Sequence, residues 1–211
     1  MKEYHKIQSI FKRDDKTKQF LVGEWSIDEL GYMSGLEWVW DEKIDGTNIR
    51  IAWDGSSRTF GGRTDNAQIP AFLFKRLEEL FTVDKLREVF KETPATLYGE
   101  GFGAKIQSGG NYIPDGVDFI LFDVLIDTFW LERSNVEGIA AQLGLRVTPL
   151  VGKGTIQQAI DFTKAGFKSA IGTANAEGLI LRPAVQLFTR QGYRIITKIK
   201  TKDFRLQERS T

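Results

Sequence analysis

The chain has 211 residues and a formal net charge of +1, with 41% hydrophobic and 27% charged residues. The length fits one sizeable domain, and the small net charge excludes a strongly basic protein. No apolar run approaches the roughly 20 residues that a membrane-spanning helix requires, so the composition argues against a membrane protein. Cysteine is absent and His5 is the only histidine, which leaves Lys, Arg, Asp, Glu, Tyr and hydroxyl groups for catalysis, with a hard cation bound through oxygens.

The first half of the chain is predicted to alternate between strands and helices. Residues 1–6 are polar and lead into no apolar segment, so nothing resembles a secretory signal and a cytoplasmic location is expected. Residues 38–62 indicate extended structure because polar and apolar side chains alternate, and residues 54–57 predict a hairpin turn. Pro70 suits the first turn of a helix, and a second helix is predicted over residues 83–92.

The second half returns to strands after two further helices. Strands are predicted over residues 96–100 and 117–126, and the second is apolar enough to be buried on both faces. The two helices have predicted capping boxes and glycine stops, namely Ser134 with Glu137, Thr155 with Gln158, Gly144 and Gly166. Strands over residues 177–182 and 193–200 complete the pattern. The whole predicts an α+β fold with central antiparallel sheets crossed by a few helices.

Positive charge is concentrated near the carboxyl end. Residues 190–209 carry only two acidic residues against seven basic ones, which are Arg190, Arg194, Lys198, Lys200, Lys202, Arg205 and Arg209. Such a segment could favour a polyanion, and a solvated tail is the alternative that the sequence leaves open.

The clearest chemical signal is Lys43-Ile44-Asp45-Gly46 at the start of a predicted strand. Taken alone this pattern is weak, because a surface lysine beside an Asp-Gly turn has the same sequence. The order of the other polar motifs makes it informative. They are Gly62-Arg63-Thr64, Tyr98-Gly99-Glu100-Gly101-Phe102-Gly103, Phe122-Asp123-Val124, Glu177-Gly178-Leu179-Ile180-Leu181-Arg182 and Lys198-Ile199-Lys200.

In this order the motifs resemble those of the covalent nucleotidyltransferase superfamily of ATP-dependent polynucleotide ligases and mRNA capping enzymes. The RNA ligase branch is the nearest likeness, and it extends over residues 23–204, including Gly23-Glu24-Trp25. The resemblance implies an α+β, ligase-type nucleotidyltransferase domain, an ATP-grasp-like adenylation domain with central antiparallel sheets flanked by helices. It also implies one such domain over residues 1–211, without the C-terminal accessory domain of most ligases.

The resemblance assigns phosphoryl chemistry to the lysines. Lys43 would attack the α-phosphorus of ATP and expel pyrophosphate, which gives a lysyl-AMP phosphoramidate. Lys198 and Lys200, two apart on a strand, would hold the phosphates and add positive potential around Lys43. A solvated edge strand is their alternative explanation.

Other matched residues are assigned to the metal and the nucleotide. Asp45, with Asn48, would shape the surroundings of the lysine and the metal, and Glu42 belongs to the predicted cofactor-binding set. Glu177 would support a catalytic Mg²⁺, for which Mn²⁺ can substitute, through water. A polar residue that merely opens a buried strand is the alternative for Glu177.

The remaining matches outline a nucleoside pocket. By resemblance, Arg63 and Glu100 hydrogen-bond the ribose hydroxyls and Phe122 stacks on adenine. A turn residue is the alternative for Arg63, and a core phenylalanine is the alternative for Phe122, which has apolar neighbours. Arg182 is assigned only general phosphate or structural support.

The predicted function is an ATP-dependent RNA ligase that joins a 5′-phosphate to a 3′-hydroxyl. A minimal DNA ligase, a GTP-dependent capping enzyme and a non-catalytic nucleotide- or RNA-binding module remain as alternatives, because the sequence does not show which sugar is read. The expected partner is nucleic acid, preferably RNA. The basic carboxyl-terminal segment or a partner protein would replace the grip of an accessory domain.

Overall fold

The computed structural model describes residues 1–108 and 111–205, in which strands and helices are interleaved along the chain. The strands are β1 (Gln8–Ser9), β2 (Phe11–Arg13), β3 (Phe20–Trp25), β4 (Trp38–Lys43), β5 (Thr47–Trp53), β6 (Arg58–Gly61), β7 (Ala95–Gly103), β8 (Val117–Ile126), β9 (Phe129–Trp130), β10 (Arg146–Val147), β11 (Leu150–Gly154), β12 (Gly178–Pro183) and β13 (Thr197–Lys200). The helices are α1 (Asp28–Tyr32), α2 (Ala71–Leu80), α3 (Val83–Phe90), α4 (Arg133–Leu143), α5 (Ile156–Ala165) and α6 (Lys202–Arg205).

These elements form two compact units. Unit 1 comprises Met1–His5 and Asp45–Thr148, and unit 2 comprises Lys6–Ile44 and Pro149–Thr211. Each unit has its own sheet and its own hydrophobic core. The expectation that residues 1–211 form a single adenylation domain without an accessory domain stays a prediction.

The sheet of unit 1 has the strand order β10-β8-β7-β5-β6, with β9 beside β8. Its pairs are antiparallel except that of β10 with β8. Ile49, Ile51 and Trp53 of β5 are buried in one core cluster with apolar residues of α2, α3 and α4. Because side chains alternate along a strand, Asn48 and Arg50 project from the other face.

The main sheet of unit 2 has the order β1-β13-β12-β4-β11, and β2 pairs with β3 separately. Only β1 and β13 run parallel. Trp40, Leu179 and Ile199, from three neighbouring strands, are buried with Ile156 and Ile160 of α5. Apart from the buried Glu42, the core face of this sheet is therefore mainly apolar, and the alternate side chains of β4, β12 and β13 project from the other face.

Most of the local signals in the sequence are confirmed. Asp54 closes the predicted hairpin turn, because its Oδ1 accepts from the backbone N–H groups of Ser56 and Ser57 at 2.8 and 2.7 Å. Helix α2 begins directly after Pro70. The capping box of Thr155 and Gln158 is present at the start of α5, and Gly144 ends α4 with a left-handed φ of 69°.

Two predicted boundaries are wrong. Helix α3 ends at Phe90 and not at residue 92, because Lys91 adopts a φ of 53°. The strand predicted over residues 193–200 is only Thr197–Lys200. The residues before it form a separate turn, in which the backbone N–H of Thr189 donates to the carbonyl of Tyr193 at 2.7 Å.

The capping box predicted at Ser134 and Glu137 is also wrong. Helix α4 begins two residues earlier than that box requires, with Glu132 at the cap position. Glu137 instead accepts from the Nε of Arg133 at 2.6 Å, in an i,i+4 ion pair. The sequence spacing fits both arrangements, and the stronger charged pair prevails.

Across the part of the chain that the structure describes, no helix is long and apolar enough to cross a membrane. Of the basic residues near the carboxyl end, Arg209 lies outside the described residues.

Candidate active site

The pairing of β4, β12 and β13 in unit 2 places three lysines on one face of the sheet. Gly178 pairs with Lys43 on one side and with Lys200 on the other, while Ile180 pairs with Lys198. Residues directly opposite one another on neighbouring strands project from the same face. Lys43, Lys198 and Lys200 therefore share the face that is turned away from the apolar core.

Gly178 is the reason that the strands can approach so closely here. A Cβ atom at this position would lie 2.0 Å from the carbonyl oxygen of Ile199. Only glycine avoids that clash without a shift of the backbone. The residue after Glu177 thus allows β12 to approach the strand that carries Lys198 and Lys200.

Glu177 bridges two of the three lysines. Its Oε2 accepts from the Nζ of Lys43 at 2.6 Å and its Oε1 lies 2.5 Å from the Nζ of Lys200. Burial alone would raise the pKa of Glu177, but the charge of Lys43 and the hydrogen bonds from both lysines outweigh burial and lower that pKa below its usual range. Glu177 is therefore an ionised group at neutral pH that aligns two ammonium groups.

Glu42 occupies the opposite face of the same sheet. It is 1% exposed, and its carboxylate accepts from the Oγ of Ser169 at 2.5 Å and from the backbone N–H of Ala170 at 2.9 Å. Burial raises the pKa of Glu42, although these two hydrogen bonds oppose the rise. Glu42 thus binds the loop over residues 168–176, which leads to Glu177, and its assignment to the cofactor stays a prediction.

Arg182 shares the face of the three lysines. It lies two positions beyond Ile180 on β12, and its guanidinium forms an ion pair with the buried carboxylate of Asp41. This pair supports the structural role that the sequence assigned to Arg182.

The polar residues of unit 1 lie on β5, β7 and β8. Asn48 and Glu100 are directly opposite each other. The Oδ1 atom of Asn48 is buried and has no hydrogen-bond partner among the residues that the structure describes. A buried acceptor without a partner costs free energy, so this atom is suited to a donor from a ligand.

Asp45 holds a loop of unit 1. Its backbone N–H donates to the hydroxyl of Tyr112 at 3.2 Å, and its Oδ2 accepts from the backbone N–H of Ser108 at 3.3 Å. Tyr112 is not among the predicted site residues, because no sequence motif marks a contact between residues that are 67 positions apart. The predicted catalytic role of Asp45 stays a prediction.

Phe122 lies at an irregularity of the sheet. Tyr98 pairs with Asp123, but Gly99 pairs with Leu121, so Phe122 is left between two paired residues. A bulge of this kind changes the direction of a side chain. Phe122 is half-buried while Leu121 is fully buried, which favours an available ring over a core phenylalanine.

Tyr4 contacts the ring of Phe122 edge-on, with centroids 5.1 Å apart. The hydroxyl of Tyr4 donates to the Oδ2 of Asp123 at 2.7 Å. Nothing in the sequence pattern indicated that a residue so near the amino terminus would support this aromatic side chain.

Arg63 is exposed in the turn after β6 and makes no hydrogen bond or ion pair to any other described residue. Its guanidinium is therefore available to a ligand, as the predicted ribose contact requires.

The lysine-bearing face offers a metal ion one carboxylate, that of Glu177. Within residues 1–108 and 111–205, no group of three or more His, Cys, Asp and Glu side chains is arranged to hold a metal. A single carboxylate fits Mg²⁺, which commonly completes its coordination with water and substrate phosphates.

The model of the RNA ligase family matches residues 36–200 of the chain. Solved structures of Naegleria gruberi RNA ligase are similar in fold. An alanine mutant with ATP and Mn has a TM-score of 0.67 and 16% identity, and the match covers 88% of this chain and 55% of that chain. The form with PPi has a TM-score of 0.67 and 18% identity over the same shares.

A further alanine mutant of that ligase, with ATP and Mn, has a TM-score of 0.68 and 16% identity, and covers 99% of this chain and 62% of that chain. The chain thus spans little more than half the length of these structures. At such low identity the likeness concerns the fold, and it confirms the predicted α+β, ligase-type nucleotidyltransferase architecture.

The match to the family model extends over most of the chain and includes every predicted site residue from Glu42 to Lys200. It agrees with the motif order and with the architecture. The chain belongs to the RNA ligase family.

Proposed function

We propose that the chain is an ATP-dependent RNA ligase that forms lysyl-AMP on Lys43, transfers the AMP to an RNA 5′-phosphate and seals that end to a 3′-hydroxyl. The single observation that supports this most is the bridge of Glu177 to Lys43 and Lys200. It gives a defined position to one amine on a face that also carries Lys198.

In the first step Lys43 gives one proton to water, and the lone pair of its neutral Nζ attacks the α-phosphorus of ATP. An N–P bond forms, the P–O bond to the β-phosphate breaks, pyrophosphate leaves and the nitrogen gives a second proton to water. Lys198 and Lys200 lie on the same face, where they would neutralise the phosphate oxygens and orient the leaving group. Asp45, which is hydrogen-bonded to Ser108 and to Tyr112, would shape the surroundings of the lysine.

The proposed cofactor is a divalent cation, Mg²⁺ or Mn²⁺, at Glu177. When bound, it supplies charge stabilisation for the phosphoryl oxygens. Glu177 would hold it through one carboxylate, with water and phosphate as the other ligands. The Naegleria gruberi structures with ATP and Mn support this choice of nucleotide and metal.

The nucleoside is assigned to residues of unit 1. The half-buried ring of Phe122 would stack on adenine, for which a contribution of about 1–3 kcal/mol is typical. Arg63 and Glu100 would hydrogen-bond the ribose hydroxyls. Asn48, with its buried acceptor, would accept a hydrogen bond from the nucleotide.

In the later steps AMP moves to RNA and then leaves. An oxygen of the 5′-phosphate attacks the lysyl-AMP phosphorus, the N–P bond breaks and the lysine regains a proton. The 3′-hydroxyl then attacks the 5′-phosphorus, a phosphodiester bond forms and AMP leaves with the bonding electron pair. A partner protein would contribute to the binding of RNA.

Covalent labelling tests the first step. The full chain is incubated with α-labelled ATP or GTP and magnesium and then run on a denaturing gel. Label from ATP is expected on the wild type and on Lys153→Ala, a control at an exposed lysine of unit 2, but not on Lys43→Ala. Label from GTP alone would assign the chain to capping chemistry, and an unlabelled wild type would contradict the proposal.

Nick sealing tests the choice of polymer. Duplexes with one nick are prepared with RNA or DNA on the 3′-hydroxyl side of the nick. Faster sealing of the RNA form is expected, because a 2′-hydroxyl is the group by which a protein distinguishes RNA from DNA. Equal sealing of an all-DNA nick would contradict the RNA preference and leave a DNA ligase as the better description.

A further inference from the structure

Arg50 is a charged side chain that is completely buried in unit 1. Its side-chain exposure is 0%, and it projects from the face of β5 opposite Ile49 and Ile51. Burial of a guanidinium is unfavourable unless its N–H groups and its charge are matched. The groups that accept hydrogen bonds from Arg50 therefore show which segments of the chain it fixes.

Three groups accept hydrogen bonds from Arg50. Its Nε donates to the carbonyl of Gly62 at 2.6 Å, and its Nη2 donates to the Oδ1 of Asp65 at 2.9 Å. Its Nη1 donates to the carbonyl of Met1 at 3.0 Å. Because a guanidinium is planar and rigid, these acceptors are fixed relative to one another.

Two of the acceptors lie on either side of Arg63. Gly62 precedes it and Asp65 follows it by two residues, so both ends of this short turn are attached to one buried group. The backbone N–H of Ala67 donates to the carbonyl of Thr64 at 3.1 Å, which closes the turn on its other side. Arg63 itself is exposed.

We propose that Arg50 is a positioning residue that fixes the Gly62–Asp65 turn and thereby the guanidinium of Arg63 for the ribose of the nucleotide. This inference rests on the proposed function, in which Arg63 binds a ribose hydroxyl. It adds a residue that touches no substrate and that acts through the backbone on either side of Arg63.

The test compares nucleotides that differ only in the ribose. Formation of lysyl-AMP on the full chain is measured with ATP, 2′-deoxyATP and 3′-deoxyATP, and the efficiency with ATP is divided by that with each analogue. Arg63→Ala should lower the ratio for the hydroxyl that Arg63 binds. Arg50→Met keeps the apolar stem but loses the donors, and should lower the same ratio roughly fivefold to tenfold, the size of one lost hydrogen bond.

The other variants separate positioning from loss of stability. Ile51→Ala removes a fully buried side chain one residue away and should leave the ratio unchanged although it destabilises the fold. Asp65→Asn weakens the anchor from its exposed side and should lower the ratio less than Arg50→Met does. If Arg50→Met does not fold, Asp65→Asn still tests the anchor.

The double variant Arg50→Met with Arg63→Ala should have the ratio of Arg63→Ala alone, because both changes act through one contact. If Arg63→Ala lowers the ratio while Arg50→Met and Asp65→Asn behave like Ile51→Ala, the positioning role is wrong and the ribose assignment stands. If Arg63→Ala leaves both ratios unchanged, the ribose assignment fails and the positioning role fails with it. Absence of lysyl-AMP in the wild type would instead contradict the proposed function itself.

Discussion

Two glutamates on opposite faces of one sheet, Glu177 half-buried and Glu42 buried, have pKa values shifted in opposite directions. Glu177 meets two lysine ammonium groups, and its pKa is lowered despite burial. Glu42 meets a hydroxyl and a backbone N–H, and burial raises its pKa. Burial alone therefore does not decide the charge of a carboxyl group, because the partners determine whether the cost of desolvation is offset.

The two faces also differ in what they can do. The face of Glu177 has exchangeable ion pairs at 12–23% side-chain exposure, which an anionic or cationic ligand can reach. The face of Glu42 is closed by Ser169 and Ala170. We infer that the first face carries the chemistry and that the second maintains the loop which leads to it.

The largest effect is expected from Glu177→Gln. The amide keeps the shape of the side chain but cannot pair with two ammonium groups, so Lys43 loses its alignment and the proposed cation loses its carboxylate. Formation of lysyl-AMP should fall by about 10²-fold or more. Single-turnover labelling with ATP measures the rate.

Glu37→Gln is the matched control for that change, since Glu37 is a half-exposed carboxylate of unit 2. It should label at the wild-type rate. A rate for Glu177→Gln within threefold of the control would remove Glu177 from the proposed chemistry.

The next effect in size is expected from Glu42→Ala, and it concerns stability. The change leaves the buried hydroxyl of Ser169 and the N–H of Ala170 without their acceptor and opens a cavity. The free energy of unfolding should fall by about 2 kcal/mol or more. Urea denaturation measures it, and a variant as stable as the wild type would show that the loop is held by other contacts.

The sequence predicted the lysine-bearing face well because its geometry follows from strand periodicity. Lys198 and Lys200 are two residues apart, so any strand places them on one face. Their position beside Lys43 was less evident, because β12 separates β13 from β4 and Gly178 of β12 pairs with Lys200 on one side and with Lys43 on the other. The family resemblance implied only that Lys198 and Lys200 act around Lys43.

The supporting contacts could not be predicted, because they join residues that are distant in sequence. Ser169 is 127 residues from Glu42, and Tyr4 is 119 residues from Asp123. The sequence pattern indicated only that Arg50 is a polar position on a strand with alternating polar and apolar side chains. Its burial depends on acceptors contributed by the turn after β6 and by the first residue, for which no local pattern exists.

The failure at Ser134 has a local cause. A capping box requires the serine to precede the first turn, but Arg133 already pairs with Glu137 within the helix. Two favourable local interactions compete for the same glutamate, and the sequence does not show which prevails.

The pH dependence of stability should differ in sign between the two glutamates. The lowered pKa of Glu177 means that its contribution is present above the ordinary pKa of glutamate and is lost as the pH falls through the lowered value. The raised pKa of Glu42 means that its contribution is present below the ordinary pKa and is lost as the pH rises through the raised value.

Urea denaturation at a series of pH values tests this difference. Glu177→Gln should reduce the loss of stability on the acid side, and Glu42→Gln should reduce the loss as the pH rises above the ordinary pKa of glutamate. If both variants reduced the loss of stability on the same side of the pH range, the comparison between the two faces would be contradicted.

The smallest effect is expected from Ser169→Ala. The hydroxyl donates to Glu42 and also accepts from the backbone N–H of Ile171 at 2.9 Å, so its loss removes two hydrogen bonds but leaves Ala170 bound to the carboxylate. Stability should fall by about 1 kcal/mol, and the pKa of Glu42 should rise further because one opposing hydrogen bond is gone. The loss of stability with rising pH should therefore extend to higher pH than in the wild type. An unchanged pH profile would mean that the hydroxyl only fills space, and that Ala170 alone ties the loop to the closed face.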